Sequence, residues 1–196
     1  GSRTGIDLPN EGYGIMHTVD TMHETELACS AFGQGFSCTM IQEINAMCSV
    51  INGGYYYQPH LVTKVKDASG ATVKTISPLL QKQTISSSIS ADIRSYMQAS
   101  VEQGTSMTSK VQGYSSGGKT GTAEENSKRN AHSLFVAYAP YNKPKVAISA
   151  VIPFGNSSHD SAEVAKDVVR YYLGELTDDD VNKDVESSSS TSAVRD

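Results

Sequence analysis

The chain has 196 residues, of which 38% are hydrophobic, 19% charged and 7% aromatic, a balance that belongs to one compact globular domain rather than to a disordered, collagen-like or coiled-coil chain. No apolar run reaches the roughly 18 residues of a transmembrane helix, and no basic-then-apolar signal segment opens the chain. The net charge of −5 is concentrated in residues 175–196, whose seven acids meet two bases and leave 14 of each in a neutral body; lacking a basic stripe, that body offers no nucleic-acid or anionic-membrane surface.

Residues Gly1 to Phe36 are rich in Gly, Pro and polar side chains, with Pro9-Asn10-Glu11-Gly12 as a turn, and are expected to be loop with little regular structure. At Thr39-Met40-Ile41-Gln42 the pattern takes capping-box form. Ile41, Ile44, Met47, Cys48 and Ile51 then recur at helical spacing until Gly53 and Gly54, predicting a helix with one buried face. Tyr55 to Val65 and Ala71 to Ile76 are β-branched and aromatic runs on either side of Asp67-Ala68-Ser69-Gly70, which predicts a hairpin. Cys29, Cys38 and Cys48 are odd in number, form no C-x-x-C pair and have no histidine at metal-ligand spacing, so they are expected to be buried free thiols.

A second helix is predicted from Ser90, with Ile93, Met97 and Val101 on one stripe and Gly104 as its stop. Small residues dominate Gly113 to Ala123. Leu134 to Tyr138 and Lys145 to Ile152 read as an antiparallel pair, both central in a sheet, joined through Pro140 to Pro144. A last helix from about Ser161 to Leu173 would place Val164, Val168 and Tyr172 on one face, with Gly174 ending it. Residues 1–174 thus make the folded part, and 175–196 an acidic, Ser-rich tail expected to be disordered. The order predicts an α/β chain of the segregated, α+β kind, with an antiparallel sheet packed by helices. Three sheet strands beside a separate hairpin are few for this length, and an open edge would favour pairing with a second copy of the chain; part of the sheet is expected to lie elsewhere.

The sharpest local signal is Gly117-Gly118-Lys119-Thr120-Gly121-Thr122-Ala123. On a strand, Lys119 offers one cation, Thr120 and Thr122 two hydroxyls, and Gly121 leaves room for a ligand backbone against the edge, a pattern suited to a carboxylate-bearing substrate. Gly113 to Thr120 also matches the letters of a phosphate-binding P-loop, but strands rather than a helix are expected after it, and no apolar strand ending in Asp supplies a magnesium ligand. Gly113-Tyr114-Ser115-Ser116-Gly117 fits G-x-S-x-G without the following helix that a nucleophile elbow requires. Ser116-Gly117-Gly118-Lys119 fits S-x-x-K, yet two consecutive glycines disfavour the helical turn that would bring Lys under Ser. His132 and Ser133 open the strand beside Lys119, and a lone histidine there is assigned no catalytic role. Glu124 and Glu125 are read as a solvated loop pair.

S-x-x-K, S-x-N and K-T-G are the linked motifs of penicillin-binding proteins and related β-lactamases, and Lys119-Thr120-Gly121-Thr122 resembles the third. Other segments of this chain resemble class B penicillin-binding proteins in the same order: Thr4-Gly5-Ile6-Asp7-Leu8-Pro9 with Glu11, Phe32-Gly33-Gln34-Gly35, Ile51-Asn52-Gly53-Gly54 with Tyr57 and Pro59, Gly104-Thr105, and Phe135, Tyr138, Ala139 and Pro140. Leu134 and Ala137 stand where the family commonly has Trp and Gly. No S-x-N occurs anywhere in the sequence.

The resemblance implies the C-terminal half of a transpeptidase domain, contributing three of the five strands of the penicillin-binding-protein and β-lactamase-like sheet. It also implies an upstream S-x-x-K serine that attacks the D-alanyl-D-alanine of a peptidoglycan stem peptide, releases D-alanine and passes the acyl group to another stem's amine. β-Lactams imitate that dipeptide. In this picture Lys119 supplies positive potential, the hydroxyls of Thr120 and Thr122 hold the carboxylate, Gly121 leaves clearance, and the Thr122 N–H completes an oxyanion hole. The implied partners are the N-terminal half of the same domain, stem peptide and β-lactams, with membrane contact only through an N-terminal anchor outside this chain. The implied location is extracytoplasmic, and no metal or cofactor is called for. Alone, the chain is expected to be inactive. A D,D-carboxypeptidase, a β-lactam-hydrolysing relative and a non-catalytic β-lactam-sensing or scaffold module remain as alternatives.

Overall fold

The computed structural model describes residues 1–124, 129–155 and 157–180. Three antiparallel strands, β5 (Gly117–Ala123), β6 (His132–Ala139) and β7 (Val146–Ile152), pair in the order β5-β6-β7. The sheet's position is set by alternation along β6. Its odd-numbered residues Phe135, Ala137 and Ala139 join Val111, Ile148 and the Ala162, Ala165 and Val169 stripe of α4 (Ser158–Tyr172) in one core. Tyr138 points the other way, into a second core with Met47 and Ile51 of α2 (Met40–Ile51) and Met97 of α3 (Ser87–Gln103). The sheet therefore lies between α4 on one face and α2 with α3 on the other. β6 is its central strand. β7, expected to be central too, has β6 as its one neighbour among the described residues and ends the sheet.

Local chemistry explains most of the elements. Thr39 caps α2 as its spacing predicts: its hydroxyl accepts from Gln42 N at 3.3 Å while the Gln42 carboxamide oxygen accepts from Thr39 N at 2.9 Å. α3 begins three residues before Ser90, because the Ser86 hydroxyl accepts from Ile89 N and serves as the cap. Ser90 is instead fully buried, where it donates to Val50 O at 2.6 Å and accepts from Gly53 N at 3.0 Å, binding the end of α2 to α3. Gly54 follows with φ +94°, and a Cβ there would come within 1.9 Å of Ile85 O; only glycine fits this crossing.

Other segments also differ from the pattern expected of them. The opening segment is not all loop: it contains α1 (Glu24–Ala31), which buries none of its residues and so shows no apolar periodicity to read. The predicted hairpin exists as β2 (Lys64–Lys66) with β3 (Thr72–Thr75), but Tyr55 to Val65 is two strands, not one. β1 (Tyr55–Gln58) stops before Pro59 and pairs with β4 (Leu79–Gln83), so one ladder is nested inside another; beyond Pro59 the Asp7 carboxylate takes the N–H groups of Leu61 and Val62 at 2.7 and 2.9 Å. α4 buries Ser161, Ala162, Ala165 and Val169, while Val164, Val168 and Tyr172 are exposed; small side chains let the helix approach the sheet and turn the bulkier stripe outward. Cys29 and Cys48 are half-buried and Cys38 is exposed, all three as free thiols. At the start of the acidic tail, Thr177 N and Oγ1 donate to the Asp180 carboxylate. Residues 181–196 and Glu125 lie outside the described residues.

Candidate active site

β5 carries the whole Lys119-Thr120-Gly121-Thr122 run, and glycines hold it close to its neighbour. A Cβ at Gly117 would meet the Tyr138 ring at 2.5 Å, and one at Gly118 would meet Phe135 Cζ at 2.5 Å. These two positions are therefore filled by aromatic rings of β6. Gly121, expected to leave room for a ligand, also lies near a neighbour, since its Cβ would stand 3.3 Å from Leu134 Cβ.

Backbone directions on β5 follow from the ladder. Ala139 O accepts from Lys145 N at 2.8 Å, on the β7 side. Because N–H and C=O of one residue point to the same side of an antiparallel strand and alternate along it, Leu134, Val136 and Tyr138 turn toward β5. Their register partners are Gly121, Lys119 and Gly117. Thr120 and Thr122 are left to direct both N–H and C=O away from β6, to an edge that no other strand fills among the described residues.

Side-chain donors sit on that edge. Lys119 Nζ donates to Thr120 O at 2.7 Å, and Gln34 Nε2 donates to Thr122 O at 3.3 Å. Thr120 Oγ1 donates to Thr105 Oγ1 at 3.3 Å, just beyond the end of α3. The edge thus presents one ammonium, threonine hydroxyls and two outward N–H groups, a donor-rich strip that suits an extended ligand ending in a carboxylate. Gln34 and Thr105 carry no local chemical signature of their own; both fall within segments, Phe32 to Gly35 and Gly104-Thr105, that the sequence resemblance had singled out.

At the far end of β5 a cavity of about 260 Å³ is lined by Thr122, His132, Ser133, Ser157 and His159, among others. His132 pairs in register with Ala123 rather than with Lys119, and its Nδ1 accepts from Phe154 N at 3.3 Å. Bonded that way, the imidazole is tied to the loop after β7 and not to Lys119. Of the two serines in the rival motifs, Ser116 is buried, and Ser115 accepts from Tyr141 N through both its carbonyl and its hydroxyl, at 2.9 and 3.3 Å. A strand follows both, so neither stands at a helix start. The P-loop letters likewise lead into β5 and β6 without a helix.

Known proteins share this sequence pattern and fold. The profile of the penicillin binding protein transpeptidase domain matches residues 1–170. The chain is 35% identical over 189 residues to stage V sporulation protein D of Bacillus subtilis, covering 90% of this chain and 29% of that protein. It is 27% identical over 196 residues to the peptidoglycan D,D-transpeptidase MrdA of Acinetobacter baumannii, covering 88% and 29%. The chain therefore spans under a third of either relative. Its fold is similar to that of penicillin-binding protein A from M. tuberculosis, solved as an imipenem acyl-enzyme complex, with a TM-score of 0.71 at 24% identity over 77% of this chain and 34% of that one.

Proposed function

The chain belongs to the penicillin-binding protein transpeptidase domain family, and from that premise we propose that it supplies the substrate-holding strand of a peptidoglycan D,D-transpeptidase. The observation that carries the reading is the outward turn of Thr120 and Thr122, which offers backbone N–H groups, hydroxyls and the Lys119 ammonium along one open edge. A D-alanyl-D-alanine stem, or the β-lactam that imitates it, adds along this edge with its carboxylate on the Thr120 and Thr122 hydroxyls. The Thr122 N–H receives the oxyanion of the tetrahedral intermediate. Lys119 lowers the energy of both negative charges.

The nucleophile belongs to residues outside these 196. Ser115 and Ser116 are held at the foot of β5, and no S-x-N triplet occurs in the sequence. The N-terminal half of the same domain is thus the partner of this chain, and the free edge of β7 is the surface that receives its two strands. No described helix is long and apolar enough to cross a membrane; the substrate places the site on the extracytoplasmic side.

The test joins these residues to an S-x-x-K segment of the family and measures acylation by benzylpenicillin. Rapid labelling of that serine, slowed by Lys119→Ala, is the expected result. Labelling unaffected by Lys119→Ala would remove β5 from the site.

A further inference from the structure

Gln34 reaches β5 from 88 residues away in sequence, and its placement is built. α1 ends where Gly33 N donates to Ser30 O and Gln34 N donates to Cys29 O, at 3.1 and 3.0 Å. Gly33 and Gly35 both adopt positive φ, +87° and +82°, so the chain doubles back on either side of Gln34. The Gly35 carbonyl is held in turn by His17 Nε2 at 3.2 Å. α1 buries none of its residues, so its visible task is to present this turn. From it the half-buried Gln34 side chain extends its carboxamide to Thr122 O on the open edge.

That carbonyl is half of a pair. A peptide adding antiparallel to β5 exchanges bonds with both the N–H and the C=O of an outward-facing residue. If the Thr122 N–H takes the oxyanion, Thr122 O awaits an amide N–H from the same ligand, and the Gln34 carboxamide already occupies it. We propose that Gln34 is a specificity-determining gate: its carboxamide satisfies Thr122 O and is exchanged for a ligand's amide N–H on binding. This rests on the acyl-transfer reading above. Ligands that bring an amide N–H compete with Gln34 for Thr122 O; ligands without one leave it in place. The same cap explains why the β5 edge does not present a bare carbonyl for another chain to pair with.

The test uses the protein that contains these residues together with its S-x-x-K serine, and two β-lactams: benzylpenicillin, which carries an acylamino N–H, and imipenem, which does not. The readout is the ratio of their second-order acylation rates. Gln34→Ala and the similarly long, non-donating Gln34→Met should each raise the benzylpenicillin-to-imipenem ratio by roughly three- to tenfold, the scale of one exchanged hydrogen bond. A ratio that stays level or falls overturns the gate, because a merely structural role moves both rates together. Loss of both rates in both variants, with the wild type labelled, makes Gln34 a folding residue and overturns it as well. A wild type labelled by neither drug rejects the acyl-transfer reading itself, and the gate with it.

Discussion

Lys119, Thr120 and Thr122 are three residues of one strand, but in the proposed site they act through different groups. Lys119 turns its backbone to β6 and sends its ammonium round to Thr120 O, whereas the two threonines give the open edge their backbone as well as their hydroxyls. Lys119→Ala, in the protein carrying the S-x-x-K serine, should therefore lower the benzylpenicillin acylation rate by ~10²- to 10³-fold, the usual effect of losing one preorganised electrostatic group; stopped-flow labelling measures it. Ser90 shows the structural counterpart. Its hydroxyl is enclosed and satisfies both Val50 O and Gly53 N, so Ser90→Ala should destabilise the fold by about 1–3 kcal/mol, read from the urea midpoint. The sequence showed the four-residue motif because its chemistry is contiguous. It gave Gln34 no local mark, since that residue acts by reaching across 88 positions, and it misplaced Ser90 as a helix start because a buried serine and a capping serine look alike as letters.

Elements were legible where one face is apolar and obscure where packing uses small or polar groups. α2 announced itself through its capping box and its stripe. The buried face of α4 is Ser161, Ala162, Ala165 and Val169, the first three of them small enough for close approach to β6, and hydrophobicity alone selects the bulkier Val164, Val168 and Tyr172 instead. The crossing at Gly54 is stricter still. Gly54→Ala adds a Cβ 1.9 Å from Ile85 O at φ +94° and should cost more than about 2 kcal/mol, seen as a lowered thermal midpoint. The opening segment is fastened by carboxylates. Asp7 is held below its ordinary 3.8 by the N–H groups of Leu61 and then Val62, and Glu11 below 4.5 by the Thr4 hydroxyl and then the Thr4 and Gly5 N–H groups. Groups depressed in the fold stabilise it fully above their unfolded values and lose that effect as pH falls through the folded ones. Stability should thus fall on acidification below about pH 4. An Asp7→Asn, Glu11→Gln double variant should be weaker at neutral pH with a shallower acid slope, as urea midpoints across pH will show.

The molecule is built around a three-stranded sheet covered on both faces but ended by β7 with no further strand beside it among the described residues. That edge, together with the exposed Val164, Val168, Tyr171 and Tyr172 of α4, is the surface that the proposed reading buries against the N-terminal half of the domain. In isolation it should drive self-association, so sedimentation should find dimers or larger species of the separate chain, and a monomer once the N-terminal half is joined. The sparse sheet was visible from sequence as a count of strands, while the nested ladders were not, because pairing β1 with β4 across an inserted hairpin leaves no local pattern. In the proposed reading these residues hold the substrate and do not attack it. Intact-mass spectrometry after incubation with excess benzylpenicillin tests it directly, on the 196-residue chain and on the protein joined to its S-x-x-K segment. No adduct is expected on the first and one penicilloyl group on the second. A stoichiometric adduct mapped to Ser115 or Ser116 of the chain alone would contradict that reading.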